Sequence, residues 1–312
     1  MTNKLINEYS KNERISTQLL VGSVTRGINA TGAAYLSVEL RDSSGSISAK
    51  KWEVTPEDDK IFVAGNVVHI EGETLLYKDS LQLKILSAKA VDNDEIDVSR
   101  FVKAPPIPKE EIIKRYNTYV ESVQNEDCLK ILKHLIAKAG DKLYSHPAAM
   151  SVHHDFSSGL IYHSVCMADL AEFIAKSYDD VDRDILITGV LLHDFGKLVE
   201  LQGPAVFKYS LEGKLLGHIS ILCAEIRKAA EELNITSETP ILLQHMALSH
   251  HGQLEYGSPV LPQTKEALIL SLVDNLDSKI VVASKALEGV APGEYSQKVY
   301  PLDGRILYKP KK

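Results

Sequence analysis

The chain has 312 residues and a mass of 34.5 kDa, enough for one large or two medium domains. Its formal net charge of -7, from 35 basic and 42 acidic residues, argues against a broad positive surface for nucleic acid, although a local basic groove is compatible with it. No apolar run is long enough to cross a bilayer, and the polar residues 1–14 lack the apolar stretch of a signal peptide. We therefore expect no membrane partner and a cytoplasmic location.

Residues 15–91 have the pattern of short β-strands. Leu36, Val38 and Leu40 alternate with polar residues, and "DSSG" at 42–45 predicts a hairpin turn. Thr55 and Pro56 predict the cap and the first position of a short helix. Five strands with a helix between the third and fourth predict an OB-type barrel.

The barrel segment resembles the nucleic-acid-binding OB-fold of the tRNA-anticodon type. The resemblance is carried by "LSVELRDSSGSISAKKWEV", "AGNVVHIEGE" and "YKDSLQLKI". Trp52 is the only tryptophan, and it could stack on a base with help from Lys50 and Tyr35, or it could close the end of the barrel. We predict the first role, with Arg26, Tyr77 and Lys78 as further candidates.

The composition changes at residues 96–110, where Pro105, Pro106 and Pro108 prevent a helix and stiffen the connection. We predict a barrel domain over 1–95, a proline-rich linker over 96–110, a helical domain over 111–290 and a tail over 291–312. The helices are predicted at 109–123, 125–139, 160–177, 182–194, 214–233, 239–250 and 264–288. The tail has an extended or irregular pattern.

Ionisable side chains interrupt the predicted apolar helices in "GLIYHS", "LLHDFGK", "LLGHIS", "ALSHHG" and "LSLVDNLD". They are His163, His193, Asp194, His218, His250, His251 and Asp274. Burying such a group costs free energy unless a partner satisfies it. One such histidine is commonly a hydrogen-bonded core residue, but a succession of them favours a shared partner. Divalent cations held between the helices would satisfy them together.

This order of His, His-Asp and Asp resembles the HD-domain metal-dependent phosphohydrolase superfamily over residues 110–290. The motifs "HHDFSSGLIYHS", "LLHDFGK" and "SHHG" carry the resemblance. It implies two metal ions bridged by Asp194. The implied ligands are His163, His193, Asp194, His218, His250 and Asp274. His251 could be a further ligand or a phosphate contact and proton donor, and we favour the second role.

The remaining site residues are expected to contact the substrate. Lys197 lies one turn past His193 and could contact a nonbridging phosphate oxygen, or it could be a solvated lysine at a helix end. His154 is a second candidate for a phosphate contact. Such ligand sets accept Mn, Fe, Co, Ni or Zn, and the resemblance favours Mn²⁺. Paired cations would polarise a phosphodiester and lower the pKa of an attacking water.

The complete arrangement, an all-β OB barrel followed by an all-α HD-domain helical bundle, resembles the YhaM-type 3′-5′ exoribonucleases. The resemblance implies release of 5′-mononucleotides from single-stranded RNA, with single-stranded DNA as a second substrate. Two alternatives stay open: a DNA-binding replication or enhancer factor with a secondary HD site, and a nucleotide or cyclic-nucleotide phosphohydrolase. Homo-oligomerisation also stays open, because no helical stripe identifies a partner surface.

Overall fold

The computed structural model of the chain describes residues 4–29, 31–77, 80–92, 96, 100–101, 105–148, 156–203 and 207–311. The chain forms two compact units. The first contains residues 1–104 and 202–208, and the second contains residues 105–201 and 209–312. The boundaries that we inferred from composition stay predictions. Among the described residues, no helix is long and apolar enough to span a membrane.

The first unit is a closed five-stranded barrel with strand order β1-β2-β3-β5-β4. Its strands are β1 (Arg14–Ile28), β2 (Ala34–Asp42), β3 (Gly45–Trp52), β4 (Val67–Tyr77) and β5 (Ser80–Ala90). The barrel closes through a parallel pairing of β3 with β5, and the other strand pairs are antiparallel. This is the Greek-key barrel of the OB-fold, as the sequence predicted.

Local chemistry explains the turns of the barrel. Asp42 accepts a hydrogen bond from the backbone N–H of Ser44 at 2.8 Å, which fixes the tight β2-β3 turn. Helix α1 (Pro56–Ile61) starts where expected, with the Thr55 hydroxyl accepting from the backbone N–H of Asp58. Alternate residues of β2 face a core that includes Leu36, Val38 and Leu40. The other side of β2 and β3 is therefore left for polar and aromatic residues.

The described residues of the second unit form eight α-helices. They are α2 (Lys109–Ser122), α3 (Glu126–Ala139), α4 (Gly159–Ser177), α5 (Arg183–Leu192), α6 (Lys197–Glu200), α7 (Leu211–Glu232), α8 (Thr239–Ser249) and α9 (Lys265–Leu287). They share one core, in which α5 is central because all of its residues from Ile185 to Leu192 are buried. The predicted all-α helical bundle is therefore confirmed as the second half of the fold.

Most of the predicted helices begin and end within a few residues of the observed ones. The prediction for 182–194 was too long, because α5 ends at Leu192 and His193 caps it. Three short elements were not predicted: α6, and the strands β6 (Leu201–Gln202) and β7 (Lys208–Tyr209). Helix α7 is kinked at Gly217, whose φ of 71° suits glycine. The tail forms two isolated β-bridges, Tyr295–Tyr308 and Val299–Arg305.

Candidate metal centre

The fold brings together the seven ionisable residues that interrupt the predicted apolar helices. His163 lies in α4, His218 in α7 and Asp274 in α9, whereas His193 and His250 cap the C-terminal ends of α5 and α8. Asp194 and His251 follow these two caps directly. The side chains of His163, His193, Asp194 and His250 are at most 4% exposed. Segments that are far apart in the sequence therefore converge on one buried polar cluster.

One group of candidate ligands contains His163, His193 and Asp194, whose ligand atoms all lie within 4.8 Å of one another. Asp194 Oδ2 lies 3.3 Å from His193 Nε2 and 3.9 Å from His163 Nε2. Asp274 Oδ1 lies 3.2 Å from the same His163 Nε2 and so adds a second carboxylate. We call these four residues the first group.

A second group contains His218, His250 and His251, again with ligand atoms within 4.8 Å of one another. Asp194 faces this group through its other oxygen, because Oδ1 lies 3.7 Å from His218 Nε2 and 3.9 Å from His250 Nε2. One carboxylate oxygen therefore points to each group. This is the arrangement that a bridging ligand between two cations requires.

Hydrogen bonds at Nδ1 fix the imidazole rings of the cluster. Those of His193, His250 and His251 donate to the backbone carbonyls of Val190, Ala247 and Tyr256, at 2.8, 2.7 and 2.7 Å. A carbonyl oxygen can only accept, so the proton of each neutral ring is on Nδ1. The Nε2 lone pair is then available to a cation, as second-shell contacts of metal-binding histidines commonly arrange.

The other two imidazoles, one from the first group and one from the second, donate to carboxylates that lie outside the groups. His163 Nδ1 lies 2.7 Å from Asp277 Oδ2, and His218 Nδ1 lies 3.2 Å from Glu200 Oε1. Glu200 also accepts from the backbone N–H of His218 at 3.2 Å. Asp277 and Glu200 were not among the predicted site residues. The signal for Asp277 was its spacing, because it follows Asp274 by three positions and so lies on the same face of α9.

The cluster fits a pair of divalent cations on two grounds. The Nε2 atoms of His193, His218 and His250 are buried and have no hydrogen-bond partner among the described residues. A buried polar atom without a partner is destabilising, so several together indicate a ligand that completes them. Imidazole nitrogens and carboxylate oxygens are also the donor set of Mn, Fe, Co, Ni and Zn sites.

The electrostatics of the cluster keep its carboxylates ionised. Burial alone raises the pKa of Asp194, but the positive charge of Lys197 and the interactions with the His193 and His218 imidazoles outweigh it and hold that pKa well below the usual range. Burial is likewise outweighed at Asp274, where the hydrogen bond with His163 holds the pKa below the ordinary value. Both side chains are thus present in the anionic form that binds cations.

The histidines differ in protonation across the two groups. Burial lowers the pKa of His163, but hydrogen bonds with Asp274 and Asp277 outweigh it and raise this pKa to about 9. Burial, together with repulsion from His193 and His251, lowers the pKa of His250 well below its usual range. A cation that binds the first group therefore displaces a proton from His163.

Lys197 is held against the cluster. Its Nζ donates to Asp194 Oδ2 at 2.7 Å, and its side chain is only 12% exposed, so it is not a solvated lysine at a helix end. Gly196, the residue before it, allows this turn to pack tightly, because a Cβ there would lie 2.0 Å from the His218 carbonyl oxygen. His154 lies outside the described residues.

Four histidines outside the cluster, His69, His134, His146 and His245, have ordinary partners. His69 contacts Ser16, His134 pairs with Glu232, and His245 accepts a hydrogen bond from the backbone N–H of Gln263. His146 is buried beside the carbonyl oxygens of Pro147 and Leu201.

The three predicted substrate contacts of the barrel lie together on the outer side of β2 and β3. Tyr35 and Trp52 are cross-strand neighbours, with ring centroids 5.0 Å apart and planes tilted by 39°. Lys50 Nζ lies 4.5 Å from the centroid of the Tyr35 ring. Trp52 is 41% exposed and therefore does not close the barrel end. We call Tyr35, Lys50 and Trp52 the barrel cluster.

A glycine on the adjacent strand makes room for this cluster. The Tyr35 ring covers Gly27 of β1, where a Cβ would lie 2.5 Å from the tyrosine Cζ. Arg26, a further candidate, forms an exposed ion pair with Asp59. Tyr77 is 54% exposed at the end of β4, and Lys78 lies outside the described residues.

Comparisons with known proteins returned one family match and several similar solved structures. Residues 160–279 match the family model of the HD domain. Two solved structures are similar over the barrel. One is the second OB-fold domain of replication protein A from Methanococcus maripaludis, with 17% identity and a TM-score of 0.25, covering 29% of this chain and 95% of that one. The other is a replication protein A heterotrimer bound to ssDNA, with 13% identity and a TM-score of 0.22, covering 28% and 65%.

The fold and the ligand cluster together define the class of the second unit. It is an HD domain, the domain of metal-dependent phosphohydrolases, and its candidate ligands can hold divalent metal. The assignment of the first unit to the OB type depends on its own strand order. The chain therefore joins an OB-type barrel to a metal-dependent phosphohydrolase domain.

Proposed function

We propose that the protein is a metal-dependent 3′-5′ exoribonuclease of the YhaM type, releasing 5′-mononucleotides from single-stranded RNA in the cytoplasm. Single-stranded DNA is a second substrate in this proposal. The observation that carries it is the position of Asp194 between two groups of ligands, in a chain that also has an exposed aromatic and cationic cluster on an OB-type barrel. The first feature supports phosphodiester hydrolysis and the second supports a polymeric substrate.

In this proposal His163, His193, Asp194 and Asp274 would hold one cation, and Asp194, His218, His250 and His251 would hold the other. Two such cations would supply Lewis-acid stabilisation of the charge that develops when water displaces the leaving group at phosphorus. The second group favours His251 as a ligand over our expectation of a proton donor, because its ring is fixed by Tyr256 beside His218 and His250. We retain Mn²⁺ as the proposed metal. The imidazole-rich second group would also suit Fe, Co, Ni or Zn.

The chain's own residues prepare the site for an anionic substrate. Lys197 brings a largely buried positive charge to Asp194. In this proposal its ammonium group also contacts a nonbridging oxygen of the scissile phosphate. Asp274 also lines a cleft of about 220 Å³ with His251, Tyr256, Ser271 and Asn275, which gives a small group access to the cluster. A terminal nucleotide bound there would meet both ligand groups.

The barrel cluster would hold the single strand. Stacking of a base on Trp52 does not depend on base identity, because every base has an aromatic face. Lys50 adds a positive charge next to the rings and can pair with the backbone phosphate. This local contact suits a chain whose net charge of -7 argues against a broad positive surface.

The test is metal-dependent hydrolysis of a short single-stranded RNA with a free or a blocked 3′ end. We expect 5′-mononucleotides from the free end only, with Mn²⁺ as the cofactor and EDTA abolishing the reaction. RNA that stays intact with Mn²⁺, Fe²⁺, Co²⁺, Ni²⁺ and Zn²⁺ would contradict the proposal. Hydrolysis of mononucleotides or cyclic dinucleotides alone would favour the small-molecule alternative, and duplex DNA binding that survives EDTA would favour a binding factor.

A further inference from the structure

The C-terminal tail folds into a hairpin that is anchored to α9. Its two segments meet at the bridges Tyr295–Tyr308 and Val299–Arg305, and the backbone N–H of Ser296 donates to the Leu307 carbonyl at 2.8 Å. Ser296, Val299 and Leu302 are buried on one side. Lys309 Nζ donates to the Leu287 carbonyl, the last residue of α9, at 3.0 Å. The hairpin is thus a fixed part of the helical unit.

The other side of the hairpin presents aromatic rings. Tyr295, Tyr300 and Tyr308 are 67%, 83% and 45% exposed. The rings of Tyr295 and Tyr308 lie side by side across the two segments, with centroids 5.1 Å apart and planes tilted by 51°. An aromatic ring that stays in water gains no hydrophobic stabilisation. Rings exposed on a fixed hairpin therefore favour a binding partner that covers them. This side is therefore suited to a partner with flat apolar faces.

The charge of the hairpin differs from that of the whole protein. Residues 290–312 contain five basic residues, Lys298, Arg305, Lys309, Lys311 and Lys312, and two acidic residues, Glu294 and Asp303, for a net charge of +3. The entire chain has -7, so the other residues sum to -10. Positive charge is thus concentrated in the segment that exposes the tyrosines. A polyanion with planar groups would match both features.

We propose that this hairpin is a second single-strand contact of the protein, in which Tyr295, Tyr300 and Tyr308 stack with bases while Lys298 and Arg305 pair with phosphates. The inference deepens the proposed function, because it assigns a further contact to the same single-stranded nucleic acid. An acidic protein surface would also match the charge. The paired flat rings of Tyr295 and Tyr308 favour bases, and Ile306, two positions before Tyr308, adds a further exposed apolar side chain.

The position of the anchor predicts a minimum strand length. Leu287 follows Asp274 by 13 positions in the same helix, which corresponds to about 20 Å at 1.5 Å per residue. At about 3.4 Å per nucleotide of a stacked strand, a strand must have about six nucleotides to reach from Asp274 to the anchored end of the hairpin. A stacked strand of four nucleotides is shorter than this distance.

The experiment measures binding separately from cleavage. Fluorescence anisotropy would compare labelled single-stranded RNAs of 4 and 12 nucleotides, all in an Asp194→Asn background that does not cleave. Tyr295→Ala with Tyr308→Ala should weaken binding of the 12-mer at least about fivefold, the low end for base stacking, and leave the 4-mer unchanged. Lys298→Ser with Arg305→Ser should reduce the slope of log K against log salt by about 1.4, at 0.7 per lost phosphate contact.

The matched control is Tyr178→Ala, which removes an equally exposed tyrosine at the end of α4 in the same unit. It should leave the binding of both RNAs unchanged. Equal losses on the 4-mer and the 12-mer would overturn the proposal, as would unchanged affinity and salt slope for the 12-mer. If the wild-type protein cleaves no RNA but binding of the 12-mer still depends on the hairpin, the exonuclease proposal fails and the hairpin contact stands.

Discussion

Two carboxylates outside the ligand groups, Asp277 and Glu200, accept hydrogen bonds from ligand histidines. Substituting them one at a time should weaken the two cation sites separately. Asp277 accepts from His163 in the first group at 2.7 Å, and Glu200 accepts from His218 in the second group at 3.2 Å. Each is largely buried, with side chains 10% and 11% exposed, so its charge is poorly screened by solvent. Asp277→Asn should therefore weaken the first site, and Glu200→Gln the second.

The expected magnitude follows from what each substitution removes. An amide oxygen can still accept the Nδ1–H, so Asn or Gln keeps the ring orientation and loses only the negative charge. We expect affinity for the corresponding cation to fall about tenfold, the low end for second-shell changes. Asp277→Ala also removes the hydrogen bond that orients the ring, and should approach a hundredfold, about 2.7 kcal/mol.

The assay is metal content per chain after dialysis against graded Mn²⁺, together with calorimetric titration of the metal-free protein. Wild type should bind two equivalents, and each variant should keep one of them with unchanged affinity. The site with unchanged affinity should differ between the two variants, and a double variant should bind both equivalents more weakly. If either substitution weakens both sites equally, or neither, the division into two groups around Asp194 is wrong.

Three further predictions concern the two units separately. Asp194→Asn should lose both cations and lower the rate of RNA hydrolysis roughly a thousandfold, which a metal analysis and a product assay would check, while Mn²⁺ retained at two equivalents would contradict it. Trp52 is the only tryptophan, so its emission should be quenched by single-stranded RNA, and Trp52→Ala should weaken binding at least about fivefold without changing hydrolysis of a small phosphodiester. Burial raises the pKa of the Cys128 thiol to about 12. Iodoacetamide should therefore fail to label Cys128 in the native protein at pH 8.5, label it faster as the pH rises toward 12, and label it readily after denaturation. Labelling of the native protein at pH 8.5 would refute this prediction.

Much of the helical unit could be predicted because its pattern is local. Apolar residues at helical spacing determine where α4, α8 and α9 lie and which faces they bury, and the histidines on those faces became candidates for that reason. The five-stranded pattern of the barrel was readable on the same basis, with Thr55 and Pro56 marking α1 between its third and fourth strands. Short elements such as α6 could not be predicted, because four residues are too few to show a helical periodicity of apolar positions.

The sequence by itself determined which residue types enter the buried cluster, since ionisable groups on apolar helix faces need partners wherever those faces meet. Only the tertiary structure decided how they divide: Asp194 turns one oxygen toward His193 and the other toward His218, and His163 meets Asp277, which lies 114 positions away. Periodicity specifies the buried face of each helix but not the rotation and height at which two helices pack. Distances of a few ångströms between ligand atoms depend on that packing, and so does the exposure of the tyrosines at the C-terminal hairpin.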